Sequence, residues 1–302
     1  MEIQGLPDFL IDMLKLQYGD KITSKIIEGY KEERVVSLRV NTLKSDMSKI
    51  QKVFSNNNIE YELVSWNKDA LIIKNVFEKE IKELDVYENG EIYLQSLSSM
   101  LPPIILNPKE GKDILDMAAA PGGKTTQIAA ITNNKAHITA CEMNSIRAER
   151  LRYNVLKQGA SSVYVMQKDS RTLDDFFSFD QILLDAPCSG SGTLQIYNPN
   201  LNTNFTKKLI DKSVSSQLAL LQKALKVLKK GEEMVYSTCS ILSCENEDVV
   251  NKILSKLHCE IVSIEFEGMN ELPLLPTKIP GTLCVCPNKY YEGFFISKIR
   301  KA

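Results

Sequence analysis

The chain has 302 residues, with 37 basic and 38 acidic side chains for a net charge of −1, and 43% of its residues are hydrophobic. These proportions are ordinary for a soluble globular protein, and no apolar run approaches the roughly 20 residues that cross a bilayer. The N-terminal segment MEIQGLPDFL lacks the pattern of a signal peptide, so we expect a cytoplasmic protein without membrane contact. Seven scattered cysteines do not indicate a disulfide framework, and neither their spacings nor the two histidines predict a metal site.

The first third of the chain predicts a helical element followed by a small α+β module. Apolar residues at helical spacing predict two short helices over residues 6–32. Between Val35 and Val76 the pattern changes to strand, helix, strand and strand. Residues 91–108 then connect this module to the remainder, so we divide the chain into domains at 1–108 and 109–302.

From residue 109 onward, strands and helices alternate. Strands are predicted at 113–117, 136–142, 161–169, 180–185, 233–238, 259–266 and 293–299, and helices at 123–132, 145–158, 206–229 and 244–257. Alternation of this kind is typical of parallel strands joined by crossover helices, which predicts a doubly wound α/β sheet. Such sheets bind their ligands at the carboxyl ends of the strands.

Residues 114–129, ILDMAAAPGGKTTQIA, form the clearest binding motif. A buried strand enters a Pro-Gly-Gly turn and leaves it as a helix, whose free backbone N–H groups suit a nucleotide-like ligand. A Walker A loop is one alternative, because Gly-Lys-Thr at 123–125 supplies its second half and Asp185 could serve as the Walker B acid. However, Ala118 stands where the first Walker glycine belongs, and the dinucleotide fingerprint GxGxxG is absent.

Four acidic residues close predicted strands, and a parallel sheet would bring them to one edge: Asp116, Glu142, Asp169 and Asp185. Glu142 is placed to accept hydrogen bonds from ribose hydroxyls, and Asp169 would flank an adenine. Asp116 would support the turn or meet a positive end of the ligand. Acidic residues also end strands simply because they favour turns. Four strands that each end at an acidic residue on the same edge nevertheless favour a binding site.

Two cysteines follow strand ends at the same predicted edge. Cys188 lies in DAPCSGSG, residues 185–192, and Cys239 lies in YSTCS, residues 236–240. A thiol beside Pro, Ser and Gly just past a strand end indicates nucleophilic chemistry. The alternative is a purely structural role, with two inert buried cysteines.

Residues 114–129 closely resemble the D-x-C-A-A-P-G-G-K-T motif of the Sun-type (Nop/Sun, RsmB-like) RNA cytosine-5 methyltransferases. Ala118 replaces a common Cys of that motif, and Asn288 stands where a His often follows Pro. Further segments resemble the same family, namely the P-C and T-C-S motifs, LRVNTLK at 38–44, ENE at 245–247 and EGFFI at 292–296. The resemblance implies a class I S-adenosylmethionine-dependent methyltransferase domain of Rossmann-like fold, preceded by a small RRM-like module. That module lacks clear RNA-stacking aromatic residues, so it is not predicted to bind RNA alone.

The resemblance also implies the roles of the site residues. Cys239 would be the nucleophile, whose thiolate adds to cytosine C6 so that C5 can accept a methyl group, and Cys188 would release the product. Asp185 would protonate or hydrogen-bond N3, and Lys124 would orient the base or the cofactor carboxylate. S-adenosylmethionine would be bound by Ala118, Ala119, Ala120, Pro121, Gly122, Gly123, Lys124, Glu142, Arg147, Asp169 and Asp185. The residues alone leave the order of the cysteines open, since DNA cytosine-5 methyltransferases use a Pro-Cys thiol.

The expected substrate is tRNA or ribosomal RNA, modified to 5-methylcytosine by a monomer. The net charge of −1 is a difficulty, because RNA-binding proteins usually carry a basic surface. A lysine strip between Phe205 and Lys230, together with the N-terminal module, is therefore the predicted RNA platform, with a solvated helix face as the alternative for the strip. Its members are Lys207, Lys208, Lys212, Lys223, Lys226, Lys229 and Lys230. Two other functions stay open, a P-loop-like NTPase and a non-catalytic RNA-binding or assembly factor.

Overall fold

A computed structural model describes residues 5–196 and 205–302, so the first four residues of the N-terminal segment lie outside it. Helix α1 spans Asp8–Lys31 and is interrupted at Gly19, which has φ 75° and ψ 168°. The interruption matches the two predicted helices. Leu10, Leu14 and Tyr30 of α1 are buried in the core of the larger sheet described below.

The small module contains four strands and three helices. Its elements are β1 (Ser37–Val40), α2 (Met47–Asn56), β2 (Tyr61–Val64), β3 (Asn67–Ile73), α3 (Glu78–Lys82), α4 (Asp85–Glu88) and β4 (Ile92–Leu94). The strand order is β2-β3-β1-β4, and every neighbouring pair is antiparallel. This is a ferredoxin-like arrangement. Strand β4 was predicted as part of the connecting segment, because three residues carry too little pattern to predict a strand.

The rest of the described chain builds one large sheet with helices on both faces. Its elements are α5 (Leu97–Leu106), β5 (Asp113–Asp116), α6 (Gly123–Ile131), β6 (His137–Cys141), α7 (Ser145–Lys157), β7 (Val163–Met166), β8 (Phe179–Asp185), α8 (Lys207–Val227), β9 (Leu228–Thr238), α9 (Glu247–Leu254), β10 (Cys259–Val262), β11 (Leu274–Leu275), β12 (Leu283–Val285) and β13 (Phe294–Lys301). In β8, Ile182 and Leu184 face the cluster formed with α1, α8 and α9, whereas Leu183 faces the cluster formed with α5 and α6. The alternation shows that both faces of the sheet are buried.

The strand order of the large sheet is β11-β12-β13-β9-β8-β5-β6-β7, with β10 paired to β13. Strands β5 to β9 are mutually parallel, as predicted. The expectation of parallel strands was wrong for the C-terminal part, because β13 runs antiparallel to β9 and pairs with β10 and β12 in the same way. The order of the parallel strands reverses between β5 and β8, and a crevice opens at their carboxyl ends at such a point.

Several predicted bounds also differ from the structure. Helix α8 ends at Val227 and β9 begins at the next residue, so Lys229 and Lys230 lie in a strand. Strands β7 and β10 are shorter than predicted, and Asp169 follows β7 as the cap of a short 3-10 helix. Within the described ranges, no helix combines the length and apolar character needed to span a membrane.

Candidate active site

The turn between β5 and α6 forms the floor of the site. Gly122 caps α6 with φ 109°, and a Cβ atom there would lie 2.9 Å from Leu151 Cδ1. Glycine adopts this left-handed backbone without steric cost, which explains the Gly of the motif. Residues 118–121 of the turn line a cavity of about 300 Å³ at the carboxyl edge of the sheet.

Asp116, the last residue of β5, lies beneath this turn. Thr125 Oγ1 donates a 2.7 Å hydrogen bond to Asp116 Oδ2, whereas the buried Oδ1 has no protein partner in the described chain. Burial raises the pKa of Asp116 to about 6, against the opposing effects of the Thr125 hydrogen bond and the Lys124 charge. Because Asp116 also lines the 300 Å³ cavity, it leaves one acceptor available to a cationic ligand.

Lys124 and Asp185 form an ion pair in the same cavity. Lys124 Nζ lies 2.7 Å from Asp185 Oδ2 and donates a 2.8 Å hydrogen bond to Ser99 Oγ. Burial disfavours the ammonium, but the charge and hydrogen bond of Asp185, together with the charge of Asp116, outweigh burial and raise the pKa of Lys124. Ser237 donates a 2.8 Å hydrogen bond to the other oxygen, Asp185 Oδ1. The carboxylate is therefore held on both sides.

The two cysteines meet at the ends of adjacent parallel strands. Asp185 of β8 pairs with Ser237 of β9, and the chains that follow place Cys188 Sγ 3.1 Å from Cys239 Sγ. Both are free thiols. The hydrogen bond with Cys239 and burial raise the pKa of Cys188 well above its ordinary value. Cys239 lines the 300 Å³ cavity beside Lys124 and Asp185.

A second cavity of about 70 Å³ holds the remaining predicted binding residues, Glu142, Arg147 and Asp169, and shares Ala118 with the first. Glu142 accepts a 2.8 Å hydrogen bond from Asn144 N, and Arg147 donates one of 2.8 Å to Ala120 O. Asp169 pairs with Arg171 at 2.7 Å, and this hydrogen bond lowers the pKa of Asp169. Two adjoining cavities thus hold most of the predicted site residues, whereas Cys188 and Gly122 line neither of the two, and Asp169 is already engaged by an arginine.

Several residues at the candidate site were not predicted from the sequence. Ser99 and Phe294 contact Lys124, the first by a hydrogen bond and the second with its ring centroid 5.5 Å from Nζ. Glu245 was noted only as part of the ENE segment, and its carboxylate lies between the two cysteine loops. Asn288 accepts hydrogen bonds from the backbone N–H groups of the two residues at 290–291, so its amide shapes a turn. Side-chain contacts between distant segments leave no signal in a single sequence.

The predicted lysine strip is divided in the structure. Lys223 and Lys226 form ion pairs with Asp175, and Lys229 forms one with Asp180. Three of the seven lysines are therefore paired with acids from other segments, and the strip as an RNA platform stays a prediction. The exposed N-terminal lysines of α8, at 207, 208 and 212, remain as the basic part.

A family model described as 16S rRNA methyltransferase RsmB/F matches residues 103–300. The chain belongs to this family. A second model, described as the RsmF/B-like ferredoxin-like domain, matches residues 6–78 and agrees with the antiparallel sheet of the small module. The predicted family, the Rossmann-like methyltransferase fold and S-adenosylmethionine as the cofactor of the family are confirmed. The P-loop interpretation of the turn is not supported.

Curated relatives cover most of this chain but extend beyond it. The ribosomal RNA small subunit methyltransferase F of Shewanella piezotolerans is 34% identical over 272 residues, and that of Shewanella sediminis is 36% identical over 281 residues. Each alignment spans 88% of this chain and 57% of the relative. The chain thus spans a little over half the length of these relatives.

Solved structures show the same fold. A methyltransferase homolog protein from Pyrococcus horikoshii is 31% identical, with a TM-score of 0.82 over 98% of this chain and 100% of the other. NSun6 from Pyrococcus horikoshii, crystallised with SFG, has a TM-score of 0.88 over 99% of each chain. Because NSun6 is only 24% identical to this chain, its similarity supports the fold alone.

Proposed function

We propose that this protein is an S-adenosylmethionine-dependent RNA (cytosine-5) methyltransferase that acts on ribosomal RNA of the small subunit. The observation that carries the proposal is the contact between Cys188 and Cys239, with sulfurs 3.1 Å apart, beside the Lys124–Asp185 ion pair. A thiol beside an acid at one cavity is what covalent activation of cytosine C5 requires, and a second thiol in contact with the first could assist release of the product. The names of the relatives favour ribosomal RNA over tRNA.

The two cavities contain groups that fit S-adenosylmethionine, which when bound supplies a methyl group on a positively charged sulfur. The unpaired Oδ1 of Asp116 would accept a hydrogen bond from the ammonium of its methionine portion. Glu142, at the smaller cavity, would accept hydrogen bonds from the ribose hydroxyls. Ala118 lines both cavities, so this end of the turn would lie beside the middle of the cofactor.

Cys239 is assigned the attack on the target base. An unstacked cytosine would enter the 300 Å³ cavity, where the Cys239 thiolate adds to C6 and makes C5 nucleophilic. Negative charge then develops at N3, and Asp185 would pass to N3 a proton supplied by the Lys124 ammonium. The ammonium of Lys124, 2.7 Å away, keeps that carboxyl group in place.

Cys188 is assigned to product release. Once C5 has taken the methyl group, a solvent water removes the C5 proton. The electrons of that C–H bond form the C5–C6 double bond, and the bond between C6 and the Cys239 sulfur breaks with its electron pair returning to that sulfur. The raised pKa of Cys188 keeps it a thiol, so it can hydrogen-bond to the departing sulfur 3.1 Å away. Without Cys188, the covalent RNA adduct should persist.

A denaturing gel tests these roles. Wild type, Cys188→Ala, Cys239→Ala and the control Cys259→Ala are incubated with S-adenosylmethionine and either small-subunit ribosomal RNA or tRNA. We expect only Cys188→Ala to retain RNA covalently, and only with ribosomal RNA. Adduct in Cys239→Ala alone would reverse the roles of the cysteines. The absence of both adduct and methyl transfer with every RNA would refute the proposal.

A further inference from the structure

The carboxylate of Glu245 lies between the two loops that carry the cysteines. Its Oε1 accepts a 2.7 Å hydrogen bond from Ser189 N. Its Oε2 accepts hydrogen bonds from Ser189 Oγ at 2.5 Å and from Ser240 Oγ at 2.6 Å. Ser189 directly follows Cys188, and Ser240 directly follows Cys239. One side chain therefore holds the residue next to each thiol.

Three more hydrogen bonds fix this arrangement. Gln217 of α8 donates to Glu245 Oε1 at 3.5 Å and to Pro187 O at 3.0 Å, so it supports the first cysteine loop from behind. Tyr236 of β9 donates a 2.7 Å hydrogen bond to the backbone oxygen of Glu245. The backbone that carries the carboxylate is thus attached to the strand that leads to the second loop.

The cost of burying Glu245 also argues for a specific role. Its side chain is fully buried, and removing a carboxylate from water is unfavourable unless hydrogen bonds replace the lost solvent. The donors that contact its carboxylate are neutral groups. Hydrogen bonds to a carboxylate are short and about twice as strong as those between neutral groups, so they hold the two loops firmly.

We propose that Glu245 is a positioning residue that sets the distance between the Cys188 and Cys239 sulfurs by clamping Ser189 and Ser240. The inference rests on the proposed function for its catalytic meaning, but the clamp itself is a property of the folded chain. A small displacement of one sulfur would separate the thiol that attacks from the thiol that releases. Such misplacement costs roughly a hundred-fold in rate.

Cross-linking of the two thiols by dibromobimane measures their separation without any RNA. The reagent becomes fluorescent when it joins two neighbouring thiols, and peptide mass spectrometry identifies the pair. Glu245→Gln keeps the side-chain shape but replaces one acceptor oxygen with a donor. We expect its Cys188–Cys239 cross-link to form at least about ten-fold more slowly, and its kcat to fall about a hundred-fold with an unchanged KM for S-adenosylmethionine.

Glu247→Gln is the matched control. This glutamate is also buried and lies two residues further on, but it accepts a hydrogen bond from Lys278 N and none from the cysteine loops. Its cross-linking rate should equal that of wild type. Ser189→Ala is the second test variant, because it removes a single hydroxyl and leaves the buried carboxylate in place. We expect a smaller fall in the same direction.

An unchanged cross-linking rate in both Glu245→Gln and Ser189→Ala would overturn the proposal, even if thermal unfolding showed that they are less stable. A slower rate in both variants, without methyl transfer by wild type, would support the clamp and count against the proposed function. The two proposals can therefore fail separately.

Discussion

The guanidinium of Arg39 donates a 2.6 Å hydrogen bond to Thr126 Oγ1, which links the small sheet to the helix that follows the cofactor turn. Arg39 also donates to Gly123 O at 3.2 Å and to Gln95 Oε1 at 2.9 Å. Burial lowers the pKa of Arg39 to about 10, so it stays charged at neutral pH. The first residue of α6 is thus held by a residue of β1.

Replacing Arg39 should weaken cofactor binding, although Arg39 lies in the small module and not in the cofactor site. Arg39→Met removes three hydrogen bonds and leaves the buried Gln95 oxygen without this donor, which costs about 1 to 3 kcal/mol of unfolding free energy. We expect a weaker affinity for S-adenosylmethionine by calorimetry at temperatures where the variant is folded. Lys44→Met, on the exposed side of the same module, is the control. Equal affinities for wild type and Arg39→Met would contradict the link.

The Lys124–Asp185 pair should behave as a coupled unit. Lys124→Met leaves a mostly buried carboxylate without its cation, which costs about 3 kcal/mol of unfolding free energy, the lower end for buried pairs. Asp185→Asn in the same chain should recover part of this loss. Urea denaturation of the single and double variants gives the coupling energy. Strictly additive losses would show that the ion pair does not contribute to stability.

Asp116 should make stability depend on pH. Its pKa is about 6 in the fold against 3.8 ordinarily, so the free energy of unfolding falls as pH rises from about 4 to about 6. Asp116→Asn should therefore be more stable than wild type at neutral pH, by at most about 3 kcal/mol, and nearly equal to it at about pH 4. Urea denaturation at both pH values checks this. A constant difference across that window would contradict the burial effect.

The same carboxyl group should control cofactor affinity. An ionised Asp116 attracts the ammonium of S-adenosylmethionine, so calorimetry should show weaker binding as pH falls below about 6. Asp116→Asn should bind weakly at every pH, without this dependence. If Asp116→Asn bound S-adenosylmethionine as tightly as wild type at neutral pH, Asp116 would not be a cofactor-binding residue.

The N-terminal lysines of α8 should contact RNA, unlike the paired ones further along. Neutralising Lys207, Lys208 and Lys212 with Gln should reduce the slope of log affinity against log salt by about 2, at about 0.7 per phosphate contact. Neutralising Lys223, Lys226 and Lys229 is the matched control, because acids already pair with them. Equal slopes for the two triple variants would refute the prediction that the N-terminal lysines of α8 contact RNA.

Most of the parallel sheet and its site could be predicted because each depends on local signals. The Pro-Gly-Gly turn, the acids at strand ends and the two cysteine motifs are all contiguous segments. Strands β11 and β12 were missed because two or three residues show no alternation. The start of β9 was misassigned because Lys229 and Lys230 continue the polar pattern of the helix before them.

By itself, the sequence determined the alternation of strands and helices, the edge at which the acids and thiols gather, and the type of chemistry they permit. The tertiary structure alone decided the 3.1 Å contact between Cys188 and Cys239 and the clamp of Glu245 across their loops. It also decided that Asp175 and Asp180 pair with three of the seven lysines of the strip. Hydrogen bonds and ion pairs between segments far apart in the chain depend on how strands are ordered in the sheet, and residue order does not reveal that arrangement.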